Sequence, residues 1–416
     1  MAQISPVLGL DFGTSNSAAA YLRDGDPVLV AMQGAQTTLP TTFFFDFDSQ
    51  KTLIGEAANQ ALLDGIEGRF MRALKRVLGT PLMHETRQIL KERVTFVEII
   101  ARFLSHIKTR AEAQAGVTFD RVLSGRPVVF HGANDAREAQ AESDLRACYL
   151  AAGFKDVGFL PEPEAAALAN GAAIQPGETG LIVDIGGGTS DFSVFRATGA
   201  GVSVLASHGV RIGGTDFDRA ISIERVMPLL GKGSELRKVM GPGISPVPNA
   251  IFNDLATWEK IPFLYTPQTR RKVDEMLRLA NEPERLGRLA TLLEHELGHE
   301  VAFAVERGKI AANAGDESAA IALDEIERGL SATLPPQILA ACLWPQARML
   351  HEGVRDTLHM AGVDAAAIDH VIYVGGSSLM AMVAQAARAE CPDAHHSFSK
   401  VFTAVTDGLA IAAARG

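Results

Sequence analysis

The sequence predicts an α/β fold of two lobes built on one repeated unit, and three observations carry that expectation. The first is the stretch Leu181-Ile-Val-Asp-Ile-Gly-Gly-Gly-Thr-Ser-Asp-Phe-Ser-Val-Phe195. A β-branched run reaches Asp184, the glycines Gly186, Gly187 and Gly188 follow with Thr189, and Asp191 opens a second alternating run. That pattern is a strand, a tight turn and a strand. The second is Val7-Leu-Gly-Leu-Asp-Phe-Gly-Thr-Ser-Asn-Ser17, which repeats the plan about 173 residues earlier. There Asp11 ends the apolar run, and Gly13, Thr14 and Ser15 form the turn. The third is length: 416 residues exceed one ordinary domain, so two lobes with their own cores are expected.

In order along the chain, Ala18 to Leu22 and Pro27 to Met32 read as strands around the turn signal Arg23-Asp-Gly-Asp26. After Asp191 a third strand recurs over Val202 to Ala206, past the turn Thr198-Gly-Ala-Gly201. Thr41 to Phe47 reads as a strand, with helices over Glu56 to Leu63 and Phe70 to Leu78. Val94 to Gln114 places Val97, Ile100, Phe103, Leu104 and Ile107 at helical spacing. A strand over Val122 to Phe130, a helix over Asp135 to Ala152 and a short strand over Val157 to Leu160 come next. Pro163 suits the first turn of a further helix, and Glu162 lies where the helix dipole favours an acid. Residues 219 to about 337 read as a largely helical insertion, with one long helix from Asn281 to Asn313. Another runs from Gln337 to Leu358. Ile368 to Leu379 is a strand entering a third glycine turn, and Ala404 to Ala413 closes the chain as an apolar helix.

Composition narrows the function classes. The chain is 47% apolar and 21% charged, as soluble globular proteins are. A net charge of −10 argues against a nucleic-acid or anionic-membrane surface. Cys148, Cys342 and Cys391 lie far apart outside any metal or redox spacing, which points to a reducing compartment. No apolar run of 18 residues occurs, and Met1 to Pro6 lacks the pattern of a signal peptide; a cytoplasmic location is expected.

The glycine turns let several backbone N–H groups converge on one anion. A carboxylate at the strand end repels a phosphate, so Asp11 and Asp184 make sense with a divalent cation between them and the phosphates. One such hairpin without a ligand is unremarkable; two with matching third strands suggest a clamp on one polyphosphate–metal group. The basic segment Arg69 to Gly79 reads, from its residues, as a solvated helix face, with Lys75 or Arg76 over phosphate as the alternative. Glu162 reads as a helix cap or as a site acid. His295-Glu-Leu-Gly-His299 on a helix would place two imidazoles on one face for zinc, with Glu296 as base and Glu300, Glu317 or Asp324 as a third ligand. It stands apart from every other motif, which favours adventitious metal binding over a zinc protease.

Taken in order, these motifs resemble the phosphate-1, connect-1, phosphate-2, adenosine and connect-2 elements of the actin-like ATPase superfamily. Within it the chain is similar to the nucleotide-binding domain of 70-kDa heat-shock chaperones. The motifs are Gly9-Leu-Asp-Phe-Gly-Thr-Ser-Asn-Ser17, Leu74-Lys-Arg-Val-Leu-Gly79, Glu162-Pro-Glu-Ala-Ala-Ala167, Asp184-Ile-Gly-Gly-Gly-Thr-Ser-Asp191, Ile212-Gly-Gly-Thr-Asp-Phe-Asp218, Glu306-Arg-Gly-Lys309 and Val374-Gly-Gly-Ser377. Gly125-Arg-Pro127, Met227-Pro-Leu-Leu-Gly231 and Glu282-Pro-Glu284 look like the YegD-type branch of chaperone-like bacterial proteins. The resemblance implies an actin-like fold. It has two lobes (1–175 and 176–399), each with a ribonuclease-H-like core. Peripheral subdomains lie at 39–95 and 220–337, and the helix in 400–416 packs back on the first lobe.

It also implies roles. Asp11 and Asp184 would hold a hydrated Mg²⁺, and Gly13, Thr14, Ser15, Gly186, Gly187, Gly188 and Thr189 would cradle the phosphates of ATP or ADP. Lys75 would stabilise charge and orient the attacking water, reversing the solvated-face reading, and Glu162 would polarise water or the metal shell. Glu306 and Lys309 would meet the ribose. Gly213, Gly214, Asn313, Gly375, Gly376, Ser377 and Leu379 would line the adenosine. Leu379 stands where the family usually has an arginine and Asn313 where it has a serine, which weakens the expected base contact. Asn16 replaces a residue that is often aromatic, and Asp407 is unusual in a closing helix. No interdomain linker or peptide-binding β-sandwich is expected within the 416 residues. The expected activity is slow ATP hydrolysis, with nucleotide and an unidentified protein partner or co-chaperone as ligands. The alternatives are a pseudo-ATPase nucleotide-binding module, a bacterial actin-like filament protein or a sugar kinase.

Overall fold

A computed structural model describes residues 3–131, 135–170, 174–199, 201–238, 241–398, 401 and 403–414. Residues 400, 402, 415 and 416 of the expected closing segment, and Ala200 of the expected turn, therefore lie outside the described residues. The chain forms two compact units: Met1–Gly214 with Ala347–Gly416, and Thr215–Gln346.

The first unit contains two sheets of matching plan. One uses β1 (Val7–Phe12), β2 (Asn16–Arg23), β3 (Asp26–Leu29), β4 (Arg121–Arg126) and β5 (Asp156–Pro161), with Thr38–Pro40 pairing onto β2. The other uses β6 (Thr179–Ile185), β7 (Ser190–Thr198), β8 (Gly201–Val210), β9 (His370–Val374) and β10 (His395–Ser397). In each sheet the first three strands run as an antiparallel meander, and the first strand also pairs in parallel with the fourth, which pairs in parallel with the fifth. The repeat seen in the two glycine hairpins thus extends to the whole sheet. This is the actin-like ATPase fold.

Helices α2 (Phe96–Ala115), α3 (Arg137–Ala151) and α4 (Glu162–Asn170) pack around these sheets, while α1 (Glu56–Leu63) packs on a separate small sheet of Thr42–Asp46, Thr52–Ile54 and Gly68–Arg72. Thr95 caps α2 through a reciprocal pair with Glu98, which satisfies two N–H groups left open by the first turn. The closing helix Ala404–Ala413 and α4 share one core with Ile182, Phe195, Ile372 and Val374 of the second sheet. Small residues permit that approach. A Cβ on Gly9 would lie 2.6 Å from the Ala410 nitrogen, and one on Gly408 would enter the Ala165 backbone.

Three expected helices differ. Phe70 to Leu78 is not helical. Gly68–Arg72 is a strand whose Phe70 and Met71 pair with Phe44 and Phe43, and Ala73 then turns left-handed at φ 62° before a single 3₁₀ turn, Leu74–Val77. Sheet pairing wins over the helical spacing, and the left-handed residue prevents continuation. The Gln337 to Leu358 helix is two helices, Pro336–Cys342 and Trp344–Ala361. Pro345 lacks the N–H that a continuous helix needs and sits instead in a new first turn. The strand expected to reach Phe130 stops at Arg126, one residue before Pro127.

In the second unit the Asn281 to Asn313 helix is likewise two, Pro283–Glu294 and Gly298–Asn313. His295 caps the first and Glu296 lies at φ 56°. Tyr265 occupies the break: its hydroxyl donates to the Glu296 carbonyl at 2.8 Å and accepts the Gly298 N–H at 2.9 Å. A zinc pair on one helix face is therefore lost, because His295 and His299 belong to different segments. Among the described residues no three His, Cys, Asp or Glu side chains form a metal cluster. Trp258, Ile261, Leu286, Leu289 and Leu292 are buried in this unit.

Candidate functional site

The site is assembled from the ends of equivalent elements in the first unit. Asp11 lies near the end of β1 and Asp184 near the end of β6, each just before its glycine turn. The two turns are brought together. A Cβ on Gly187 would lie 3.1 Å from Thr14 Cβ, and one on Gly188 would lie 3.0 Å from Thr14 Oγ1. The Gly213 turn packs on the same loop: its added Cβ would stand 2.6 Å from the Gly187 carbonyl carbon and the Gly188 nitrogen. The Gly214 N–H donates to the Gly186 carbonyl at 3.0 Å, and the Ser190 hydroxyl to the Ile212 carbonyl at 2.7 Å. Gly375, at φ 78°, comes so close to Asp184 that a Cβ would be 2.7 Å from Oδ1, and a Cβ on Gly214 would strike the Ser377 hydroxyl. Asp11, Thr14, Ser15, Asp184, Gly186, Gly187, Gly188, Gly213, Gly214, Gly375 and Ser377 thus occupy one neighbourhood. Gly13 is required by the first turn itself, where a side chain would enter the Asn16 backbone. Thr189 hydrogen-bonds Asp191.

Lys75 belongs to this neighbourhood and not to a solvated face. Its 3₁₀ turn buries it, and Nζ donates to Glu162 Oε1 at 2.7 Å. Glu162 is buried at the start of α4, so a plain cap facing water does not describe it. Its Cγ would be 3.2 Å from a Cβ on Gly125, whose nearest neighbours also include Asp11 Oδ1. The absence of a side chain at Gly125 keeps that space open.

Asp191 is the residue that the sequence reading placed in a strand without giving it a role. It pairs with Asp184 across β6 and β7, whereas the equivalent partner of Asp11 is Ala18. Its Oδ1 accepts the Val128 N–H at 2.7 Å, and it is 1% exposed. Counting the register back from each glycine turn would have found it, because antiparallel partners share a face.

Asp11, Glu162, Asp184 and Asp191 share one buried lysine, and the electrostatics reflect that imbalance. Desolvation, then the Glu162 charge, lifts Asp11 to about 7 against the opposing pull of Lys75. The same first two causes lift Asp191 to about 8 despite its hydrogen bonds to Val128 and Thr189. Asp184 is raised well above the usual carboxylate range by desolvation and by Glu162, Asp191 and Asp11. Desolvation works against the Lys75 ammonium, but Glu162 and Asp11 outweigh it and raise its pKa. Crowded oxygen donors of one sign suit a hard divalent cation that keeps several of its waters. Asp11 and Asp184, the two carboxylates beside the glycine turns, are the oxygen donors that Mg²⁺ held through its waters would use.

The remaining expected residues are on other elements. Glu306, Lys309 and Asn313 lie on Gly298–Asn313 in the second unit. Lys309 is buried there, with Nζ 2.6 Å from Asp218 Oδ1, and the Trp258 indole N–H donates to Asp218 Oδ2 at 3.4 Å. Gly376 and Leu379 are the exposed ends of a 3₁₀ turn after β9 in the first unit, whose Ser378 is buried; Leu379 is 48% exposed. A protein-family model described as "Hsp70 protein" matches residues 7–228, just over half of the 416 residues.

Proposed function

Since the chain belongs to the Hsp70 protein family, an ATP-binding family of actin-like ATPases, we propose that it binds Mg²⁺–ATP between its two glycine hairpins and hydrolyses it slowly. The observation that carries this reading is the buried Lys75–Glu162 pair beside Asp11, Asp184 and the convergent glycine turns. In this reading Thr14, Ser15, Gly186, Gly187, Gly188 and Thr189 hold the phosphates through backbone N–H groups and hydroxyls. Asp11 and Asp184 hold the cation through water, and bound Mg²⁺ supplies neutralisation of the phosphate charge. Lys75 stabilises charge developing on the transferred group and positions the attacking water, while Glu162 fixes the ammonium. Asp191 completes the acidic wall. Phosphoryl transfer asks for this positioning and charge compensation more than for covalent chemistry. The family resemblance adds ribose contacts for Glu306 and Lys309, and adenosine contacts for Gly213, Gly214, Asn313, Gly375, Gly376, Ser377 and Leu379. The division of lobes at about residue 175 belongs to the same reading. So does a YegD-like placement, supported by Gly125-Arg-Pro127, Met227 to Gly231 and Glu282 to Glu284, with a chaperone-like or regulatory output to a protein partner in the cytoplasm.

The test pairs calorimetric titration of ATP and ADP, with and without Mg²⁺, with phosphate release. Binding that strengthens with Mg²⁺ and single-turnover release are expected. Lys75→Ala should lower turnover by about two orders of magnitude or more, with nucleotide affinity retained, as loss of a charge-stabilising group does. Undiminished hydrolysis in Lys75→Ala would sink the assignment of Lys75. Nucleotide binding with no release by the native chain would favour the pseudo-ATPase reading, for which the exposed Leu379 supplies the motive.

A further inference from the structure

The turn that presents Lys75 has few internal bonds, yet it must hold an ammonium against one carboxylate oxygen. Within it the Arg76 N–H reaches the Ala73 carbonyl at 3.0 Å, and the Leu78 N–H reaches the Lys75 carbonyl at only 3.4 Å. Ala73 and Gly79 bracket the segment with left-handed backbones, at φ 62° and 77°. A short 3₁₀ turn with such ends has little stiffness of its own. Its stiffness comes from groups outside it.

The strongest of these is Asp144 on α3, a carboxylate 1% exposed that takes no part in the nucleotide neighbourhood. Its Oδ2 accepts the Gly79 N–H at 2.8 Å. Its Oδ1 is occupied by Gln140 Nε2 at 2.7 Å and His84 Nε2 at 2.9 Å, which fix the carboxylate plane. Two further tethers act on the same segment: His131 Nε2 donates to the Leu78 carbonyl at 2.6 Å, and Arg211 Nη2 to the Arg76 carbonyl at 3.3 Å. Gly79 is seated so closely on α3 that a Cβ would lie 2.6 Å from the Arg137 carbonyl oxygen. A hydrogen bond from a buried N–H to a carboxylate is among the stronger neutral-to-charged bonds, and its loss strands the donor.

We propose that Asp144 is the positioning residue for Lys75: by anchoring Gly79 to α3 it fixes the turn that carries the ammonium to Glu162. The proposal rests on the ATPase reading for its kinetic consequence and on geometry alone for its structural one. Asp144→Ala should lower single-turnover hydrolysis about ten- to a hundredfold, the scale of a misplacement near 1 Å, while the ATP and ADP dissociation constants stay within about twofold. Asp144→Asn should recover most of the rate. Its amide oxygen can still accept from Gly79, and its NH₂ can face an unprotonated His84 nitrogen and the oxygen of a flipped Gln140 amide. Asp144→Val, which fills similar volume without an acceptor, replaces the alanine variant should that fail to fold. Amide exchange of the nucleotide-free protein supplies the independent readout: Gly79 and Arg76 should lose protection in the alanine or valine chain and keep it in the asparagine chain. Native turnover in Asp144→Ala or Asp144→Val would overturn the proposal, as would unchanged exchange at Gly79. Absence of hydrolysis in the native chain would remove the ATPase reading instead, and the exchange result would still decide the role of Asp144.

Discussion

Glu300 shows at the scale of one residue how burial translates into pH dependence. It lies in the first turn of Gly298–Asn313, and its Oε2 is buried without a hydrogen-bond partner among the described residues. Desolvation, reinforced by Glu325 and Glu296, raises its pKa from 4.5 to about 7 despite a backbone hydrogen bond. A folded-state pKa above the unfolded one means that the native state binds more protons between those values, so stability falls as pH rises. The contribution is fully present below about pH 4.5 and is lost as pH passes 7. Thermal unfolding of Glu300→Gln should therefore lie above native at pH 8.5 and near it at pH 5; equal shifts at both would refute the assignment. The sequence named Glu300 only as a candidate zinc ligand and could not announce its burial, since a glutamate on a helix ordinarily faces water. Asp11 and Asp184 were legible because each sits beside a glycine turn. Asp191 needed strand register, and Lys75 needed the family resemblance, since its residues alone suggested a solvated helix.

Among elements, glycine turns and strands were the most legible, and long helices the least. Helical spacing in Asn281 to Asn313 persists across the break because apolar positions on both sides are buried. What stops the helix is a side chain from elsewhere: the Tyr265 hydroxyl takes the Glu296 carbonyl and the Gly298 N–H. No local reading of 281–313 contains that information. Tyr265→Phe keeps the ring and removes both bonds, leaving two backbone groups in competition for the helical ladder. A loss of about 1–3 kcal/mol in urea unfolding is expected, and an unchanged midpoint would show that the hydroxyl is incidental. Pro345 and Pro127 teach the converse lesson. Pro127 follows the end of a strand and Pro345 opens a new helix, each where local chemistry alone requires it, and both were visible in the sequence.

For the molecule as a whole, the duplication of one five-stranded plan could be anticipated from two hairpins, because an antiparallel meander and its parallel extension follow from the same side-chain alternation. The grouping of both sheets into one compact unit, with Thr215–Gln346 as the other, could not. That grouping depends on α4 and the closing helix sharing a core with the second sheet, which composition does not encode. Ligand linkage supplies the test at this scale. Saturation with Mg²⁺–ATP at about a hundred times its dissociation constant should stabilise the native chain by about 2.7 kcal/mol. Lys75→Ala should retain most of that shift, since the reading gives Lys75 to turnover and not to affinity. No change in melting temperature for the native chain would contradict nucleotide binding.

The contact of Ala410 with Gly9 also bears on how the chain is made. Ribosomal synthesis delivers Gly9 of β1 about 400 residues before Ala410 of the helix that covers it. Until then the close-approach face around Gly9 has no native cover, and sequence-distant pairings of this kind slow folding and expose apolar surface. The first sheet, although its strands precede those of the second, is thus completed late.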